Sequence, residues 1–367
     1  MALEGYVYAT ASREKIRRRT PSAESDKARP SAGSIAIRGL QKALPESYDY
    51  TAARSAPHKQ AMPHVVIVGD RVSGKATFLS LLYATQVKSG SDASDDFRFH
   101  ADVDSLDEIS EAFEQLMSGS FPDSATKEGM RGITFHLGYR RAGRGVLSRF
   151  RSRRWASGGS IALHFILVRD VQEEMSRFRL GSSFTNADLR EVLESDAIAI
   201  LVDSTKLGHS PEDGTIGPMD RYDTAVESLL SAAQRSRPRG GRRPIHPIVV
   251  FSKFDSVDPK AIRAANLAGA PPDAKKTGHR SAYAEALLES SLPRTIERVR
   301  ARDRDASSFA KPSYFFSSVR TEAASADRPA KIRLRRTNGA GWEPDYSADE
   351  YRALLERLWT IASNAGE

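Results

Sequence analysis

Residues 64–83, with the sequence HVVIVGDRVSGKATFLSLLY, constrain the fold more than any other part of the chain. An apolar, mostly β-branched run at 65–68 is followed by a loop that begins at Gly69 and by a helical pattern after Lys75. This order is typical of a phosphate loop, in which backbone N–H groups and a helix N-terminus bind phosphate oxygens. We therefore expect a nucleoside phosphate to contact the loop residues Gly69, Asp70, Arg71, Val72, Ser73, Gly74, Lys75, Ala76 and Thr77.

The residue after Lys75 departs from the usual phosphate loop. Ala76 stands where a Ser or Thr hydroxyl ordinarily binds Mg²⁺, and Thr77 follows one position too late to replace it directly. Mg²⁺ is therefore a doubtful cofactor.

The composition excludes several classes of site. The chain of 367 residues has no cysteine, which excludes disulfides, thiolate catalysis and cysteine-based zinc sites. Its eight histidines show no HxH or HxxxH spacing, so a metal site built on histidine is not expected. No apolar run has the length of a membrane span, and the N-terminus lacks the apolar core of a signal peptide. We expect a cytoplasmic protein.

Basic segments set the domain organisation. Residues 1–60 are rich in Ala, Ser, Arg, Lys and Pro and predict a disordered basic tail, whereas residues 61–367 predict one folded domain. Two insertions interrupt this domain: residues 140–159 contain seven arginines and residues 235–243 contain five. With a net charge of +8, these insertions are compatible with nucleic-acid binding, with docking of an acidic protein, or with merely solvated loops.

Strand and helix patterns alternate along the domain. Apolar runs predict strands at 65–68, 133–137, 161–168, 197–202, 248–251 and 314–316, with a long loop at 256–280 and a helix over 282–299. Capping boxes at Ser105, Thr185 and Ser347 predict the starts of three more helices. The alternation predicts an α/β fold with a mainly parallel sheet and helices on both faces. Ligands of such sheets bind at the carboxyl ends of the strands, where the phosphate loop, Asp170, Asp203 and residues 252–255 fall.

The order of these motifs resembles the Ras-like, or TRAFAC, branch of P-loop GTPases. The phosphate loop is followed by Thr126 as a possible switch threonine, by Asp170 after a strand, by the SKFD motif at 252–255, and by Ser317 and Ser318 before the last helix. The resemblance covers about residues 63–363. Residues 119–126 and the long loops also resemble the bacterial double-GTPase group of conflict systems.

The resemblance implies roles for individual residues. Asp255 would accept hydrogen bonds from guanine of GTP or GDP, and Lys253 would lie along the base or brace the phosphate loop. Ser252 begins this motif, and Ser317 and the backbone near Ser318 would support it or reach the guanine O6. The implied catalytic residues are Lys75, Asp170 and Gln172, and the implied Mg²⁺ ligands are Thr77, Thr126 and Asp170.

One further departure concerns hydrolysis. The family places a glycine three residues after the aspartate, but this chain has Glu173, whose charge opposes an approaching γ-phosphate. Together with Ala76, this predicts weak or degenerate hydrolysis. The resemblance itself implies a nucleotide-dependent switch or scaffold for a protein partner, in a bacterial defence system. Two alternatives remain: a competent GTPase completed by Thr77 or Asp170, and a non-enzymatic module that binds nucleic acid or an acidic protein through its arginine-rich loops.

Overall fold

The structure is a computed structural model of the chain. It describes residues 62–89, 97–123, 130–139, 161–179, 192–208, 217–236, 244–274, 276–301, 309–322, 330–336 and 341–365. All of them lie in one compact unit, Asp49–Glu367. The predicted tail at 1–60, the arginine-rich insertion at 140–159, residues 237–243 of the second insertion, Thr126 and the predicted helix start at Thr185 lie outside the described residues.

Strands and helices alternate through the first two thirds of the unit. The strands are β1 (His64–Val68), β2 (Phe97–Ala101), β3 (Gly132–Tyr139), β4 (Ile161–Leu167), β5 (Ala197–Asp203), β6 (His246–Ser252), β7 (Ser313–Phe316), β8 (Thr321–Glu322), β9 (Lys331–Ile332), β10 (Leu334–Arg336) and β11 (Trp342–Pro344). The helices are α1 (Lys75–Ser89), α2 (Leu106–Met117), α3 (Val171–Arg179), α4 (Pro218–Arg235), α5 (Pro259–Ala264), α6 (Thr277–Ser291), α7 (Pro293–Arg300) and α8 (Ala348–Ala365).

Seven strands form one sheet in the order β2-β3-β4-β1-β5-β6-β7. Strands β4, β1, β5, β6 and β7 are parallel, and β3 pairs antiparallel with both β2 and β4. Two short antiparallel pairs, β8 with β9 and β10 with β11, lie between β7 and α8. The predicted fold class, an α/β fold with a mainly parallel sheet and helices on both faces, is confirmed.

Each central strand contributes to two hydrophobic cores, because successive side chains point to opposite faces. In β1, Val65 and Ile67 enter the core beneath α1, α2 and α8, whereas Val66 and Val68 enter the core beneath α3, α4, α6 and α7. Burial on both faces explains why these strands are continuous apolar runs. The arrangement also places the carboxyl ends of β1, β5 and β6 side by side.

Two local predictions are wrong, and four short strands were not predicted. The segment predicted as a loop at 256–280 contains α5, which Asp258 caps by accepting the backbone N–H of Lys260 at 2.7 Å. The helix predicted over 282–299 is two helices, since Leu292 breaks the pattern and Pro293 begins α7. Strands β8–β11 had no sequence prediction.

Within the described ranges, no helix is both long and apolar enough to cross a lipid bilayer.

Candidate functional site

The loop between β1 and α1 has the backbone geometry that its glycines allow. A Cβ atom on Gly69 would lie 2.3 Å from the Ser73 hydroxyl oxygen, so only glycine permits this close packing. The buried Ser73 hydroxyl donates to the carbonyl oxygen of Asp70 at 3.0 Å and closes the turn. Gly74 has a φ of +84°, a left-handed conformation that costs glycine little. The loop is therefore a compact turn that leads directly into α1.

Lys75 folds back over this loop. Its ammonium group donates to the carbonyl oxygens of Gly69, at 3.2 Å, and of Asp70. Burial lowers the pKa of Lys75 to about 8, although the nearby carboxylates of Asp70 and Asp170 act in the opposite direction. The ammonium group thus lies in the concavity of the loop, where it can donate a hydrogen bond to a phosphate oxygen.

The first turn of α1 adds hydrogen-bond donors to the loop. The N–H of Phe78 reaches the carbonyl of Gly74 at 2.8 Å, so the N–H groups of Lys75, Ala76 and Thr77 precede the first intrahelical bond. No acidic residue lies in this turn. Unpaired N–H groups and the positive end of the helix dipole together favour an anion at this position.

Lys253 connects the SKFD segment to the phosphate loop. Its ammonium group donates to the carbonyl oxygen of Val72 at 2.8 Å and to the buried carboxylate of Asp203, at the end of β5, at 2.7 Å. The backbone of Lys253 is left-handed, with a φ of +53°, which directs the chain away from β6 at this residue. Ser252, the last residue of β6, donates its hydroxyl to the carbonyl of Val202 at 3.2 Å. These contacts fix the two loops relative to each other.

Neighbouring aromatic and serine residues support the same segment. The Phe254 ring packs edge-on against the Phe316 ring at 4.7 Å between centroids. The backbone N–H of Phe254 donates to the carbonyl of Ser317 at 3.0 Å. The Ser317 hydroxyl is bonded to the Tyr351 hydroxyl at 2.6 Å, and the N–H of Ser318 donates to Ser347 at 3.0 Å. The Ser317 hydroxyl and the Ser318 N–H therefore attach this corner to α8 and to the residue that precedes it.

Asp255 follows on the surface. Partial burial of its carboxylate raises its pKa, and hydrogen bonds from the backbone of Asp255, the side chain of Ser256 and the backbone of Val319 oppose this shift. A carboxylate at this position has two oxygens that can accept a pair of parallel N–H donors.

Asp170 caps α3 and lies three positions after the last residue of β4. One carboxylate oxygen accepts the N–H of Gln172 at 2.9 Å, and the N–H of Val171 donates to the carbonyl of Gly69 at 3.2 Å. The strand end predicted at Asp170 is thereby held against the phosphate loop. Glu173 is an exposed residue in the first turn of α3, where the resemblance expects a glycine in a loop.

The Mg²⁺ ligands implied by the resemblance do not form a complete set here. Ala76 is buried and supplies no hydroxyl, and one oxygen of Asp170 is engaged in capping α3. Thr77 is half-buried in α1, and Thr126 is not among the described residues. In the part of the chain that the structure describes, no three carboxylates or histidines lie close enough together to hold a metal ion. Among the described residues, the hydroxyl that the family uses as a Mg²⁺ ligand is therefore missing at the position of Ala76.

Sequence reasoning missed Lys206. This residue ends a short 3₁₀ turn, Ser204–Lys206, and its ammonium group forms an ion pair with the carboxylate of Asp70 in the phosphate loop. It lies three positions after Asp203, the last residue of β5, and β5 is the parallel neighbour of β1. That adjacency is the only signal by which the sequence links Lys206 to the loop.

Comparisons with known proteins add little to this picture. No protein-family model matches the chain, and no curated protein matches it. Among solved structures, one match is the "Signal recognition particle receptor SRb-GTP/SRX complex from Chaetomium thermophilum", with 11% identity and a TM-score of 0.33. It covers 70% of this chain and 91% of that one. A similarity this low carries no argument about the function of the site.

Proposed function

We propose that this chain binds guanine nucleotides and acts as a nucleotide-dependent switch or scaffold for a protein partner, with weak GTP hydrolysis. The observation that carries the proposal is the Lys253 contact with the carbonyl oxygen of Val72, at 2.8 Å. It joins the segment with which a base would be recognised to the loop in which phosphates would bind. An ordinary strand end with a surface lysine requires no such connection.

The proposed base contact uses Asp255. Guanine presents two parallel donors, N1–H and the 2-amino group, and a carboxylate accepts both at once. Adenine has no matching pair, so an aspartate at this position selects against it. The Phe254–Phe316 contact and the Ser317 carbonyl hold the segment that carries Asp255 in place.

Weak hydrolysis follows from the residues around the phosphate end. Phosphoryl transfer needs positive charge on the phosphate oxygens and an oriented water molecule. Ala76 removes a metal-binding hydroxyl, and Glu173 adds a carboxylate at the position of the expected glycine, while its own N–H is directed to Asp170 at 3.4 Å. Asp170 and Gln172 start a regular helix, α3, so we propose that nucleotide binding rather than turnover is the main property of the site.

We also propose, from the order of motifs, that the chain belongs to the TRAFAC branch and, from the resemblance of residues 119–126 and the long loops, that it serves a bacterial conflict system. The alternative, an interaction module that uses arginine-rich loops, concerns residues 140–159 and 235–243. Nearly all of these lie outside the described residues, so that alternative stays a prediction.

Calorimetric titration with GTP, GDP and ATP, each with and without Mg²⁺, tests the proposal. The wild type is expected to bind both guanine nucleotides and to reject ATP. Lys75→Ala is expected to lose binding, because it removes the ammonium group at the loop. Asp255→Asn is expected to shift the preference from GDP towards xanthosine diphosphate, since an amide can donate to the 2-oxo group of xanthine. Equal affinity for ATP and GTP, or GDP selectivity unchanged in Asp255→Asn, would contradict the assignment of the base site.

A further inference from the structure

Besides Lys75 and Lys253, a third lysine contacts the phosphate loop, from the turn that follows the neighbouring strand β5. The Lys206 ammonium group pairs with the carboxylate of Asp70, the second residue of the loop. The Asp70 side chain is only 9% exposed, so this contact lies within the loop rather than across its outer surface. Lys206 itself is 30% exposed and therefore faces the solvent side of the contact.

Two ammonium groups converge on the same loop residue. Lys75 donates to the carbonyl oxygen of Asp70, while Lys206 contacts its carboxylate. The positive charge of Lys206 also contributes to lowering the pKa of Lys75, which indicates that the two cations are close. The charged side chain of Asp70 is thus paired with a lysine that the sequence motif of the loop does not include.

The turn that carries Lys206 is held in position. One carboxylate oxygen of Asp203 accepts the N–H of Thr205 at 3.2 Å and its hydroxyl at 2.7 Å. The other oxygen of Asp203 binds Lys253. One buried aspartate therefore orients both the turn with Lys206 and the lysine that braces the phosphate loop.

A nucleotide diphosphate or triphosphate brings several negative charges into this loop. The family neutralises part of that charge with Mg²⁺, but Ala76 lacks the hydroxyl that would hold the metal. Lysine is a compact cation on a flexible four-carbon stem, so it can change partners with little movement of the backbone. Asp70 would keep one partner after such an exchange, since it also accepts the N–H of Val72 at 3.2 Å.

We propose that Lys206 is a second phosphate-binding cation, which exchanges the Asp70 carboxylate for a nucleotide phosphate oxygen and makes binding independent of Mg²⁺. This inference rests on the proposed function, because it requires that the loop binds a nucleotide. Lys206 lies outside the phosphate-loop motif, and its ammonium group would neutralise the phosphate charge that Mg²⁺ neutralises in the family.

Calorimetry with Lys206→Met tests the inference, with GDP and guanosine as probes in EDTA and in Mg²⁺. The wild type is expected to bind GDP equally in both conditions. Lys206→Met is expected to weaken GDP binding about tenfold or more, the effect of losing a hydrogen bond to a charged group, and to leave guanosine binding unchanged. The matched control is Lys331→Met, which removes an exposed lysine on β9 and is expected to bind GDP as the wild type does.

A second variant separates phosphate binding from a purely structural ion pair. Asp70→Asn removes the carboxylate that competes for Lys206, so GDP binding is expected to become tighter. A structural ion pair would instead make both Asp70→Asn and Lys206→Met bind more weakly. Thermal unfolding of each variant checks that it is folded. If Lys206→Met does not fold, GDP binding by Asp70→Asn distinguishes phosphate binding from a structural ion pair.

The outcomes distinguish the two proposals. A wild type that binds no guanine nucleotide overturns the proposed function and this inference together. If the wild type binds GDP and Lys206→Met binds GDP with the same affinity, only the role of Lys206 is overturned. Wild-type affinity for GDP that rises tenfold or more with Mg²⁺ also overturns the inference.

Discussion

The ammonium group of Lys75 is subject to opposing effects of burial and charge. Burial lowers its pKa to about 8 from a reference value of 10.5, despite the carboxylates of Asp70 and Asp170. Because the pKa in the folded state is the lower one, the protonated side chain destabilises the nucleotide-free protein below about pH 8. This cost decreases as the pH rises from about 8 towards 10.5. A bound phosphate would reverse the effect by favouring the charged form.

Nucleotide binding is therefore expected to take up protons in mildly alkaline solution. At a pH of about 8, half of the Lys75 side chains are neutral, and binding should take up about half a proton per GDP. At about pH 6.5 nearly all are already charged, and the uptake at Lys75 should vanish. Calorimetric titrations in two buffers of different ionisation enthalpy measure this quantity. Uptake that does not differ between the two pH values would show that Lys75 does not contact the phosphate.

At the scale of helices and strands, the sequence predicted where helices begin better than it predicted which groups the serines at those positions bind. Helices α2 and α8 begin at Leu106 and Ala348, where serine capping signals placed them. However, the Ser105 hydroxyl forms no cap and accepts the N–H of Thr134 on β3 at 3.0 Å. The Ser347 hydroxyl accepts the N–H of Ser318. Local propensity indicates where a helix can start, whereas tertiary packing decides which group the serine binds.

The same distinction applies to the candidate site. The ends of β1, β5 and β6 were predictable from apolar runs, and a parallel sheet places them at one edge. The pairing of Lys206 with Asp70 joins residues 136 positions apart and has no local signal. The 3₁₀ turn that carries Lys206 depends on a hydrogen bond to Asp203, which a hydrophobicity pattern does not show.

Helix α7 provides a prediction about stability. It begins with Pro293 directly after Leu292, whose side chain cannot cap it, and the buried Asp223 of α4 supplies the cap. Its carboxylate accepts the N–H of Arg294 at 3.0 Å and of Thr295 at 2.8 Å. Asp223→Ala leaves these donors unpaired and is expected to lower the free energy of unfolding by about 1–3 kcal/mol.

Urea unfolding of Asp223→Ala measures this loss. Asp349→Ala is the control, since Asp349 is an exposed aspartate near the start of α8 and should cost less than about 0.5 kcal/mol. A loss in Asp223→Ala no larger than in the control would mean that α7 does not depend on a cap from α4.

At the scale of the whole molecule, the sheet joins two cores. Leu79 of α1 is fully buried in one core and Leu230 of α4 is fully buried in the other. Strands β1, β5 and β6 contribute side chains to both, so we expect neither core to unfold while the sheet remains intact. The candidate site depends on this coupling, because its loops follow those same strands.

We expect Leu79→Ala and Leu230→Ala each to cost about 2–5 kcal/mol and to unfold in a single transition. Their effects should add to within about 0.5 kcal/mol, since the two side chains occupy separate cores. Urea unfolding followed by circular dichroism and by tryptophan fluorescence measures both properties. Coincident curves indicate one cooperative unit, whereas separated curves in either variant would mean that one core unfolds first. If the unit is cooperative and GDP affinity is unchanged, saturating GDP should stabilise both variants by the same free energy, because global unfolding destroys the site in either case.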